Sequence, residues 1–206
     1  MTEVVDPYLD AEHGCLRNLL EITDARRLAI EEAAIVAVRL RQLDDRVDVV
    51  PTTVGHWRSA HRHLFGDVYS WAGEFRTVDI TKGAHPFHPV SHLYTAAAFC
   101  SQQMLQIAHL DRPDADTLAE RLSVLLSDMN ETHPFRDGNG RTQRFVIGRL
   151  SAQHDHPIAW RAIGPEQNIE LSISSRSDPH AFAQPLRAAM TAARGFGTSA
   201  TRGPDT

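Results

Sequence analysis

The sequence predicts a single all-α domain that carries one small β-hairpin. Helical spacing of apolar residues, punctuated by cap residues, runs through most of the 206 positions. One stretch alone, EFRTVDITKGAHPFHPV (residues 74–90), mixes β-branched residues with a glycine turn. No internal repeat or break in composition appears before the last dozen residues, so one core is expected.

The first long helix is predicted over DARRLAIEEAAIVAVRLRQL, with Thr23 as its N-cap. Leu28, Ile35, Val38 and Leu43 lie near one face there, and Glu31 and Glu32 take the wetter side. PTTVGHWRSAHRHLFGDVY reads as a cap, a helix to about Phe65 and a stop at Gly66. Ser91 is placed to cap HLYTAAAFCSQQMLQIAHL, and Asp116 or Thr117 to open LAERLSVLLSDMNETH. A further helix follows in RTQRFVIGRLSAQH. Gly164 and Pro165 start another, and Asp178 and Pro179 the last, whose first turns Pro185 should kink or interrupt. Arg76, Val78 and Ile80 belong to the extended stretch, with Lys82-Gly83 at its turn. The domain is expected over residues 1–194, with its core at 8–192. The Gly-, Ser- and Thr-rich end (195–206) has almost nothing to bury and reads as a disordered tail.

Composition excludes several classes. A net charge of -5 argues against a nucleic-acid glove or a membrane-surface binder. No apolar run is long enough for a membrane span, and no signal-peptide pattern opens the sequence. Cys15 and Cys100 are too few for a disulfide framework, which points to a cytoplasmic, reducing setting. The histidine groups at 56, 61 and 63 and at 85, 88 and 92 invite a zinc reading. The first group converges poorly on a helix, and the second lacks a cysteine or carboxylate, so packing or solvation is the better reading. Trp57, Trp71 and Trp160 read as core aromatics.

The chemistry concentrates in HPFRDGNGRTQR, residues 133–144. Gly138 and Gly140 let the backbone turn its N–H groups toward one point at a helix N-terminus, which makes an anion nest. Arg141 and Arg144 are three apart and can lean toward the same anion. Asp137 offers oxygens to a hard cation such as Mg²⁺, and Asn139 can hydrogen-bond a phosphate oxygen. His133 can take a proton from an incoming hydroxyl, while Phe135 pins the loop to the core. A base, a metal ligand and a phosphate cradle together suit transfer of a phosphorus-centred group.

HPFRDGNGR resembles the signature of Fic-domain proteins, HPFx[DE]GN[GK]R, at every specified position. DVYSWAGEFRTVDITKGAHPFHP resembles the region before that family's flap, and CLRNLLEITD its usual opening, so the resemblance covers about residues 8–192. It implies a helical Fic-type domain with a β-hairpin flap. The implied activity is transfer of AMP from ATP to a Ser, Thr or Tyr hydroxyl of a target protein. By the same resemblance, His133 is the general base and Asp137 holds Mg²⁺ between the α- and β-phosphates. Asn139 contacts the α-phosphate, Gly138 and Gly140 supply the anion hole, Arg141 binds the β-phosphate and Arg144 the γ-phosphate. Lys82 (the sole lysine), Gly83 and Phe87 fall in the flap that docks the target backbone as an added strand.

Two alternatives remain open on the residues: transfer of another phosphorus-containing group, as by a kinase, and a non-catalytic nucleotide-binding scaffold. Gly140 stands where kinase-like relatives usually carry Lys, and an intact His133 is superfluous to a scaffold. Compact bacterial members of the family often act as toxins on essential machinery, type II topoisomerases included. Many members are restrained by a helix with [ST]xxxE[GN], whose Glu pairs with the second signature arginine. Here only Ser70–Glu74 and Ser127–Glu131 have that spacing, and neither ends in Gly or Asn. The expectation is therefore a separate small antitoxin that supplies the Glu.

Overall fold

The computed structural model describes residues 6–44 and 50–197. Seven α-helices and two two-stranded antiparallel sheets make up the described fold. β1 (Leu9–Asp10) pairs with β2 (Cys15–Leu16), and β3 (Thr81–Lys82) pairs with β4 (His85–Pro86). The helices are α1 (Ala25–Asp44), α2 (Val54–Phe65), α3 (Leu93–Ala108), α4 (Ala115–Thr132), α5 (Asn139–Ala152), α6 (Pro165–Ser174) and α7 (Ala183–Gly197).

α4 is the axis. Leu118, Leu122, Leu125 and Met129 repeat at i, i+4, i+7 and i+11 and are fully buried against α3, α5 and α7. Each such side chain contributes about 1.5–3 kcal/mol. The cap at its start, Asp114 accepting from the Thr117 N–H at 2.7 Å, adds only about 1 kcal/mol. Packing therefore fixes α4, and capping trims its end. Three buried polar residues on α4 then tie down the segment around α6. Ser123 donates to the Pro179 carbonyl, Ser127 to that of Ser175, and Asn130 to that of Ser172. A second apolar cluster, with Leu28, Val36, Leu64, Phe65 and Tyr69, joins α1 to α2.

Helix α2 begins on Thr53, whose hydroxyl accepts the His56 N–H, and stops at Gly66, as its sequence suggests. α6 likewise opens at Gly164 with Pro165 in its first turn. Other boundaries move. α1 is capped by Asp24 rather than Thr23, since the Asp24 carboxylate accepts the Arg27 N–H at 2.7 Å. α4 opens at Asp114 rather than Asp116 or Thr117. Ser91 caps nothing: it lies within a 3-10 turn, Val90–His92, that leads into α3. Pro185 falls in the first turn of α7, where an N–H has no intrahelical partner, so it starts the helix without interrupting it. α7 runs to Gly197, past the expected start of the tail, and residues 198–206 lie outside the described residues.

On α1, Val38 is exposed and Val36 is buried instead. Glu32, expected on the wet side, is 5% exposed. The β1–β2 pairing at the chain's start has no counterpart in the sequence reading. Among the described residues, no helix is long and apolar enough to cross a membrane.

Candidate active site

The signature loop links the end of α4 to the start of α5, and its backbone is held from three sides. His133 ends α4 in the left-handed region, at φ 41° and ψ 57°, a conformation that costs a non-glycine residue about 1–2 kcal/mol. Its N–H donates to the Met129 carbonyl at 3.1 Å, and its carbonyl accepts from Arg76 Nε at 2.9 Å. Phe135 is fully buried and stacks on the His61 ring at 3.8 Å. Gly73 donates its N–H to His61 Nδ1, so the ring proton sits on Nε2 and is donated to the Asp137 carbonyl at 2.9 Å.

Gly138 turns the chain into α5 at φ 79°, against the fully buried ring of Phe65. Only a residue without a Cβ fits, since that carbon would lie 2.5 Å from the ring.

These elements enclose a cavity of about 410 Å³. His133, Asp137, Gly138, Asn139, Gly140, Arg141 and Arg144 all line it, with Lys82 and Phe87 from the flap. Gly83, at the hairpin tip, does not. His133 Nδ1 lies 3.1 Å from the Asn130 carbonyl, which can only accept. The proton therefore sits on Nδ1, and Nε2 keeps the lone pair that a base needs. Burial, chiefly, and the positive charges of Arg76 and Lys82 lower the His133 pKa to about 4, and burial lowers His61 to about 4 as well.

The native state thus refuses two protons that the unfolded chain accepts below about pH 6.5. Stability from these two groups is complete above pH 6.5 and declines as pH falls toward 4, by up to about 1.4 kcal/mol per pH unit for each ring. Imidazole C–H resonances followed by NMR should show both rings untitrated until about pH 4. A His133 midpoint near 6.5 would contradict this electrostatic account.

Arg144 is half-buried, and burial together with the neighbouring Arg141 lowers its pKa. Among the described residues no carboxylate forms an ion pair with it. The two glutamates with inhibitor-like spacing are engaged elsewhere. Glu74 pairs with Arg58 and Arg62. Glu131 pairs with His85 of the flap at 3.0 Å and lies 3.7 Å from Arg176.

Asp137 has a side chain 46% exposed and is the one carboxylate among the residues lining the cavity. It accepts the Gly138 N–H and lies 3.8 Å from Arg141 Nη2. No group of three potential metal ligands converges among the described residues. One accessible carboxylate beside a phosphate cradle suits Mg²⁺, which keeps waters and shares its coordination with substrate phosphates.

Asn139 has a structural task as well. It is 2% exposed, and its carboxamide brackets the Phe135 backbone, accepting from its N–H at 3.0 Å and donating to its carbonyl at 2.8 Å. It also lines the cavity, and its backbone N–H at the start of α5 is a further donor for an anion.

The flap is shorter than the extended stretch that announced it. Gly83, at φ 63°, and Ala84 form the turn between Lys82 and His85. Both residues of β3 are exposed, leaving a free strand edge, and the Phe87 ring stacks on His133 at 3.9 Å.

Sequence reasoning missed Arg76, which it placed among extended residues. Arg76 is 1% exposed and donates to the carbonyls of His133, Val78 and His88, so it joins the hairpin's root to the signature loop. Its lone signal was an arginine that alternates with Val78 and Ile80 in the extended stretch. For His61 the sequence left packing and solvation both open, and its grip on Asp137 carries no sequence mark at all.

Comparison with known proteins places this architecture. The Fic/DOC family model matches residues 51–150. The protein adenylyltransferase VbhT of Bartonella schoenbuchensis is 35% identical over 82% of this chain, which spans 36% of that relative. The probable protein adenylyltransferase Fic of Escherichia coli is 30% identical over 78% of this chain and 80% of its own length. Among solved structures, BepC of Bartonella tribocorum, with bound AMPPNP, superposes at a TM-score of 0.79 with 18% identity, covering 88% of this chain and 95% of that one. The helical fold around the signature loop is therefore shared, and the chain belongs to the Fic/DOC family.

Proposed function

We propose that the chain transfers AMP from ATP to a hydroxyl side chain of a target protein. The observation that carries this reading is one cavity that holds His133, with an available Nε2, beside the Gly138 nest, Arg141 and Arg144. The adenylyltransferase names of relatives at 30–35% identity support it. His133 takes the proton of the target hydroxyl as its oxygen attacks the α-phosphorus, and pyrophosphate leaves. Backbone N–H groups of Asn139 and Gly140 and the two arginines hold the phosphates, and Asp137 would hold Mg²⁺, which supplies charge neutralisation when bound. Ile169 and Ile173, exposed on α6 at the cavity wall, offer apolar surface to the nucleobase. The domain extends through α7 to Gly197 and acts in the cytoplasm.

Incubating the chain with ATP, Mg²⁺ and a cell lysate, followed by mass spectrometry of the modified band, tests this reading and identifies the target. Type II topoisomerase subunits are the first proteins to inspect. A band modified without AMP on a hydroxyl would refute it. The free β3 edge is the proposed docking strand, which gives a further expectation. Gly83→Pro, which cannot hold φ 63°, should reduce target modification more than Lys82→Ala, with ATP affinity unchanged in both. Equal and full modification by both variants would remove the hairpin from docking.

Arg144 has no carboxylate partner among the described residues, which supports control by a separate protein. A groove of about 380 Å³, lined by Leu40, Phe145 and Trp160, runs up to Arg141 and Arg144. It suits an apolar antitoxin helix that presents one glutamate. Expression of the chain alone should arrest growth, and co-expression of such a helix should relieve it. Growth arrest that persists in His133→Ala would show that the toxicity does not come from transfer.

A further inference from the structure

We propose that Glu32 and Tyr69 are positioning residues for Arg141, fixing its guanidinium where the second phosphate of a nucleotide is met. The inference rests on the reading of Arg141 as a phosphate contact and goes beyond it by naming what holds that contact in place.

A carboxylate withdrawn from water costs several kcal/mol unless it is paired and hydrogen-bonded. Glu32 is nearly fully buried, and both its oxygens are matched. One lies 2.5 Å from Arg141 Nη1, and the other accepts from the Tyr69 hydroxyl. Tyr69 is itself buried, and burial followed by the bond to Glu32 pushes its phenol far above its ordinary range. It therefore stays protonated and serves as a fixed donor. The Arg141 guanidinium also lies over the Phe65 ring, 4.6 Å from its centre. That ring packs against Gly138 as well, so one wall of α1 and α2 sets both the nest and the arginine.

The two signature arginines are thus prepared differently. Arg141 is neutralised and held, with little freedom to lose on binding. Arg144 keeps its charge uncompensated by any carboxylate among the described residues. Packing alone does not require these charges, since buried ion pairs can often be replaced by neutral groups of similar volume without loss of stability.

The test compares affinities for ADP and AMP, measured by calorimetry on the purified chain in the presence of a metal chelator. The ratio of the two reports the second phosphate and cancels any general weakening of the site. Glu32→Gln keeps the shape and removes the charge, and should cut the preference for ADP over AMP about tenfold, since a hydrogen bond between charged groups is replaced by a weaker one. Tyr69→Phe should shift the ratio in the same direction by a smaller factor, and it decides the matter if Glu32→Gln does not fold. In an Arg141→Ala background, neither substitution should change the ratio further. An unchanged ratio in both variants, or equal loss of ADP and AMP affinity, would overturn the proposal and leave Glu32 a packing residue. A wild-type chain that does not favour ADP, or an Arg141→Ala chain that favours it equally, would overturn the reading of Arg141 itself and this inference with it.

Discussion

His133→Ala is expected to lower transfer by about 10²–10⁴-fold while ATP affinity stays nearly unchanged, because the role proposed for the imidazole is that of the base and not of a phosphate contact. The residue has a second task that must be separated from the first. It ends α4 at positive φ, where Ala is strained and Asn is comparatively tolerated. His133→Ala should therefore lose some stability along with activity, whereas His133→Asn should lose activity alone. Thermal melts alongside transfer assays resolve the two effects. An active His133→Asn chain would rule out the imidazole as base.

Gly138→Ala should be nearly as damaging, for a mechanical reason. The new methyl would sit 2.5 Å from Phe65 Cε2 and Cζ, and Phe65 is fully buried and cannot swing aside. Overpacking of this kind costs about 1–3 kcal/mol. The φ of 79° adds a further cost. The backbone must shift, and a displacement of about 1 Å among positioning groups can lower rate about 10²-fold. Gly140→Ala provides the contrast. Its methyl meets Arg144 Nη1 at 3.5 Å, an ordinary contact, so its effect on nucleotide affinity should be much smaller. Equal losses in the two variants would mean that Phe65 does not set the nest.

These contrasts mark where the sequence was legible and where it was not. Local signals carried α2 and α6 well, because a hydroxyl cap, a glycine stop or a first-turn proline acts within a few residues. The geometry of the signature loop was legible for the same reason: its turn and the residues that line the cavity are neighbours in sequence. What failed was long-range. Glu32 was assigned to the wet side because periodicity counts a carboxylate as polar, yet its partner Arg141 lies more than a hundred residues away. Arg76 was misread likewise, as its three carbonyl partners are gathered only when the flap folds against the loop. Asn139 shows a task that the motif did not announce: its carboxamide also braces the Phe135 backbone. The β1–β2 pairing joins two-residue strands, too short for alternation to announce.

The central claim is that this site moves AMP, and isotopic labelling of ATP tests it most directly. The chain, Mg²⁺ and a lysate are incubated in parallel with ATP labelled on the α-phosphorus and with ATP labelled on the γ-phosphorus. Label should reach protein from the α position alone, and His133→Ala should abolish it. Label reaching protein from the γ position and not from the α position would contradict the account, because it would make the chain a kinase.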